Sequence, residues 1–88
     1  MSEGKISDLE RYMDAKQINN PQRAWIRAVL EIVRRLSKEK GLTFETDILL
    51  EAKAKGIDTQ ACLGALRILL QSNSIYSKGG WGTYAPLS

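Results

Sequence analysis

The chain has 88 residues, enough for one domain, and its 43% hydrophobic and 26% charged content is the usage of a globular protein rather than a disordered one. It has no histidine and a single cysteine, Cys62, so an intrachain disulfide, a Cys/His zinc site and a histidine-based catalytic triad are all excluded. The net charge of +3 permits a nucleic-acid partner but does not demand one.

The opening residues, Met1 to Lys5, lack the basic-then-apolar order of a signal peptide. No apolar run approaches the roughly 20 residues that span a bilayer. The expected setting is therefore the cytoplasm, beside the nucleoid, or the nucleus of a eukaryote. Ser7-Asp8-Leu9-Glu10 fits a capping box, in which the serine hydroxyl and the glutamate carboxylate satisfy each other's free amides. Leu9, Tyr12 and Met13 then make one apolar stripe on a helix of about two turns. Gln17 to Asn20 breaks the pattern, so residues 1–19 read as an arm or linker with a short helix, and 20–88 as the main domain. The apolar stripe of this arm, together with the next helix, is also a candidate dimer interface.

Asn20-Pro21 is a helix start, with asparagine as the cap and proline at the first helical position, where its missing N–H costs nothing. The periodicity predicts a helix from Pro21 to about Lys40, ended by Gly41. Its apolar positions are Trp25, Ile26, Val29, Leu30, Val33 and Leu36, with Ile32 at the edge. Arg23, Arg27, Arg34 and Lys38 fall on the opposite side, with Arg35 and Lys40 adding charge near the C-terminal end. Residues 21–41 carry a net +4, whereas the stretches on either side, 1–20 and 42–72, are each −1. The positive charge belongs to one helix.

Leu42-Thr43-Phe44 reads as a brief extended stretch. A second helix of the main domain follows, starting at Thr46 or Glu45 and running from Asp47 to Lys55, with Gly56 as terminator and Ile48, Leu49 and Ala52 inward. Asp58 or Thr59 caps a third, from about Thr59 to Ser72, whose apolar side is Cys62, Leu63, Leu66, Leu69 and Leu70. Cys62, among apolar neighbours, reads as a reduced core thiol. Ile75-Tyr76-Ser77 and Thr83-Tyr84-Ala85 form a hairpin around Lys78-Gly79-Gly80-Trp81-Gly82. The expected fold is mainly α with a small β-hairpin: a winged helix-turn-helix of three helices plus wing.

The glycine loop is not a phosphate loop, because no helix N-terminus follows it to face an anion. Glu45, Asp47 and Glu51 sit near a helix start, where the dipole alone explains them, and no nucleophile is organised nearby. No catalytic, metal or cofactor site is expected. The residues that would meet a partner are Thr59, Gln60, Gly64, Arg67 and Gln71, and with them Ser72, on the recognition helix. Lys78 and Trp81 add contacts on the wing, with Trp81 either folded onto the hairpin or exposed at its tip. Arg and Gln can read base edges, but one cation on that helix, with Asp58 at its entry, is thin provision for phosphates. The basic face of the long helix (Arg23, Arg27, Arg34, Arg35) would lie behind it.

Asp47 to Asp58, in Asp-Ile-Leu-Leu-Glu-Ala-Lys-Ala-Lys-Gly-Ile-Asp, resembles the helix-turn segment in the C-terminal winged-helix domain of archaeal minichromosome maintenance (MCM) replicative helicases. So do Ala65-Leu66, Leu69-Leu70 and Ile75-Tyr76 with the glycine-bearing loop to Tyr84, and Arg27 to Leu36 is similar to that family's first helix. Gly4 to Leu9 looks like its connector to the AAA+ motor. Ser77-Lys78 and the Gly-Gly-Trp-Gly loop depart from the acidic residue and proline the family often places after its Ile-Tyr pair, so its wing contacts do not carry over. The resemblance implies a non-catalytic regulatory domain, monomeric in isolation, that modulates an ATP-driven helicase. It would contact other helicase domains or replication proteins and bind DNA at most weakly. The competing expectation is a free-standing winged-helix transcription regulator, archaeal or viral and dimeric.

Overall fold

A computed structural model describes residues 8–41, 43–77 and 82–86. Four helices precede most of a small sheet in the order α1 (Asp8–Ala15), α2 (Asn20–Lys40), β1 (Thr43–Phe44), α3 (Glu45–Ala54), α4 (Thr59–Gln71), β2 (Ile75–Ser77) and β3 (Thr83–Pro86). The fold is mainly helical, with one three-stranded antiparallel sheet ordered β1-β3-β2. Thr43 pairs with Tyr84, and Tyr76 with Ala85, so the last strand lies in the centre.

The long helix α2 is the hub. It starts one residue earlier than Asn20-Pro21 suggests: Asn19, in extended backbone, is the cap, and its Oδ1 accepts the Gln22 N–H at 2.9 Å. Proline tolerates this shift because the second helical amide is as unbonded as the first. At the other end Gly41 adopts φ +77°, a left-handed conformation open to glycine, and its N–H donates to Ser37 O at 2.7 Å. α4 packs along α2, while α3, β1 and β3 cover more of it. This makes the buried arc wider than a single stripe, and Ile32, expected at the edge, is fully buried. Trp25, expected in the core, is 41% exposed.

α1 belongs to the same core. Leu9 and Met13 are buried with Ile26, Val33, Ile48 and Leu69, so the apolar stripe of the N-terminal segment is covered within its own chain. Tyr12 donates its hydroxyl to the Gln71 side chain at the end of α4. The Ser7 cap, Leu42 and the loop residues 78–81 lie outside the described residues. α3 begins at Glu45, whose N–H donates to Gly82 O at 2.6 Å, and it ends where Ile57 N–H returns to Ala52 O at 2.9 Å. Ile48 and Ala52 are buried and Leu49 is half-buried, while Leu50 faces solvent. Among the described residues no buried side-chain polar atom lacks a partner; Thr43, for example, donates to Val33 O.

Candidate functional site

α4 is held at its start by Asp58, whose Oδ1 accepts the Ala61 N–H at 2.7 Å. Cys62, Ala65, Leu66 and Leu69 face the core. That leaves Thr59, Gln60, Gly64, Arg67 and Gln71 outward, all exposed, while Ser72 is buried and donates to Leu69 O at 3.2 Å. Gln71 is already engaged by Tyr12. Thr59, Gln60 and Arg67 make no side-chain hydrogen bond or ion pair among the described residues. Lys78 and Trp81 lie outside the described residues.

The outward strip runs between two hollows. On one side Leu63, Leu66, Arg67 and Leu70 face Glu45 and Tyr84 across a hollow of about 260 Å³. The Tyr84 hydroxyl donates to Glu45 Oε1 at 3.0 Å; burial, reinforced by that carboxylate, pushes the phenol above its ordinary range. Cys62 is fully buried, and burial, with Glu45 adding to it, pushes its thiol up to about 11. A thiol so placed is a core group rather than a nucleophile. On the other side Trp25, Ala61, Gly64 and Ile68 border a smaller hollow of about 110 Å³. Leu63, Ile68 and Leu70 are half-buried, so both flanks of the strip are apolar.

The four arginines of the α2 basic face are each ion-paired, whereas Lys38 on the same side makes no ion pair among the described residues. Arg23 pairs with Asp14 at 2.7 Å and also donates to Ile18 O at 2.6 Å. Arg27 grips Glu10 through two hydrogen bonds, 3.0 and 2.8 Å, and holds its carboxyl below the ordinary value. Arg34 meets Glu31 at 3.3 Å, and Arg35 meets Glu51 at 2.6 Å and Glu39 at 3.8 Å. Lys40 lies 3.6 Å from Asp47. The acids come from α1, α3 and α2 itself, and the −1 of each flanking stretch offsets only part of the net +4 of residues 21–41. Most of these pairs are solvent-exposed and contribute little to stability, so they lower the positive potential of the face, and Arg23, half-buried and bonded to Ile18 O, is the most constrained of its cations.

Sequence reasoning placed Thr59, Gln60, Gly64, Arg67 and Gln71 outward on α4, wrongly put the buried Ser72 with them, and missed three things: the carboxylates that pair with the α2 arginines, the Glu45–Tyr84 bond, and the exposure of Trp25. Only the alternation of acidic and basic segments hinted at the first. Among the described residues no cluster of three or more His, Cys, Asp or Glu could hold a metal ion, and no helix is long and apolar enough to cross a membrane. Comparison with known proteins returns no match to a family model, a curated protein or a solved structure.

Proposed function

We propose that this chain is a winged helix-turn-helix module that works by protein contact, with α4 as its docking helix and DNA as at most a weak ligand. The element order, the short turn between α3 and α4 and the strand order β1-β3-β2 support that fold. One observation carries the functional reading. Arg23, Arg27, Arg34, Arg35 and Lys40 are ion-paired within the chain, while α4 presents a single cation, Arg67, between apolar flanks. Groove binding draws its affinity from many phosphate contacts, and Asp58 puts a negative charge at the α4 terminus that would approach the backbone. Interface cores between proteins, in contrast, are poor in charge and favour arginine with large apolar side chains. The resemblance to the MCM winged-helix domain fits this reading, with the AAA+ motor or replication proteins as the partners. Sequence upstream of Met1 then encodes an AAA+ module, and its absence from the gene overturns the helicase part.

The test is anisotropy titration of labelled duplex and single-stranded DNA at two salt concentrations. Dissociation constants no tighter than the non-specific range of roughly 10⁻⁴–10⁻⁶ M, with a shallow salt slope, are expected. Tight, sequence-dependent binding with a steep slope overturns the reading in favour of the transcription regulator. In that event Arg67→Ala loses base preference.

A further inference from the structure

We infer that the hollow between α4 and the start of α3 takes one large apolar side chain of a partner protein, flanked by a carboxylate that meets Arg67 and a basic group that meets Glu45. The inference rests on the reading of α4 as a docking helix and names the chemistry of the segment that docks there.

Leu63, Leu66 and Leu70 give the hollow its apolar lining, and Arg67 and Glu45 are its two charged members. These opposite charges border one space without closing on each other: neither makes an ion pair among the described residues. That sets Glu45 apart from the acids elsewhere on the molecule. Glu10, Asp14, Glu31, Glu39, Asp47 and Glu51 each lie within 3.8 Å of an arginine or lysine, and Asp58 caps α4. Glu45 is also fixed in place, because its N–H donates to Gly82 O at 2.6 Å and its carboxylate accepts the Tyr84 hydroxyl at 3.0 Å. An occupant that filled only the apolar part would strip water from both charges and return nothing. One that carries the complementary charge on either side satisfies both and is selected by them. Size and sign turn away the other classes of occupant. At about 260 Å³ the hollow is smaller than the roughly 300–1,000 Å³ of small-molecule sites, and it suits the single anchor side chain that dominates many protein contacts. A nucleic acid would bring phosphates toward Glu45. A second copy would set hollow against hollow and leave the leucines uncovered.

The test selects a displayed library of random peptides on the full chain. Enriched peptides are expected to carry a leucine, methionine or phenylalanine with an acidic residue on one side and a basic residue on the other. Arg67→Glu, an exposed change checked for fold by circular dichroism, weakens a synthetic enriched peptide by about tenfold or more in anisotropy titration. The same peptide with its acidic residue changed to lysine regains binding to that variant. Glu45→Gln keeps an acceptor for Tyr84, so it removes the preference for the basic residue and leaves the preference for the acidic one. No enrichment, an enriched set without the acidic residue, or undiminished binding to a folded Arg67→Glu overturns the inference. Peptide-induced amide shifts confined to Gln60 and Gly64 also overturn it but keep α4 as the docking helix, a reading that the DNA titration above tests separately. Self-association abolished by Arg67→Glu would make a second copy the occupant and overturn the inference as well.

Discussion

Burial and one carboxylate act together on two weak acids, Cys62 and Tyr84, and this gives the molecule an alkaline weakness. Both pKa values are raised in the folded chain, that of Cys62 from 9.0 to about 11. A group raised on folding stabilises the native state fully below its unfolded pKa and loses that contribution as pH climbs through the folded one. Resistance to urea is therefore expected to fall between pH 9 and pH 11, and less steeply in Cys62→Ala than in wild type. An equal fall in both assigns the alkaline loss to other groups. At the same scale, apolar type and spacing made Cys62, Leu66 and Leu69 legible as core residues. Trp25 was not legible as exposed, because spacing does not reveal that the facing α4 residues, Ala61 and Gly64, are too small to cover an indole.

Among the elements, the helices were readable because their ends carry their own chemistry. Asp58 caps α4 and Gly41 closes α2 as the residue types imply. The start of α2 is the instructive exception, since two adjacent asparagines compete for one cap and sequence alone favoured the one beside proline. The bond from Gln22 N–H to Asn19 makes the two distinguishable. Asn19→Ala is expected to cost about 1 kcal/mol in urea denaturation. Asn20→Ala, inside the first turn, costs nothing measurable, and the reverse result would move the cap. The ion pairs Arg27–Glu10 and Arg35–Glu51 were invisible for a different reason: they join separate helices, and helical spacing speaks only within one.

For the whole molecule, the N-terminal helix proves to be structural. Met13 is fully buried, so Met13→Ala is expected to lower stability by about 2–5 kcal/mol, read as a drop in melting temperature. A loss below about 0.5 kcal/mol, the usual range for a surface change, would detach α1 from the core. The sequence pattern left residues 1–19 open between arm and linker because two short turns of helix show an apolar stripe without showing what covers it. The candidate docking strip on α4 was legible as exposed positions, but its electrical setting was not, since that depends on which carboxylates the tertiary fold brings to α2. The strand order has a bearing on synthesis as well. With β3 between β1 and β2, a nascent chain halted anywhere before Thr83 can wind its helices but has no middle strand to close the sheet. Thr43 must wait for Tyr84, across most of the main domain, and until then its ladder amides face solvent or the ribosome. Birth order and spatial order run against each other here, and the sheet can close only once its middle strand has emerged.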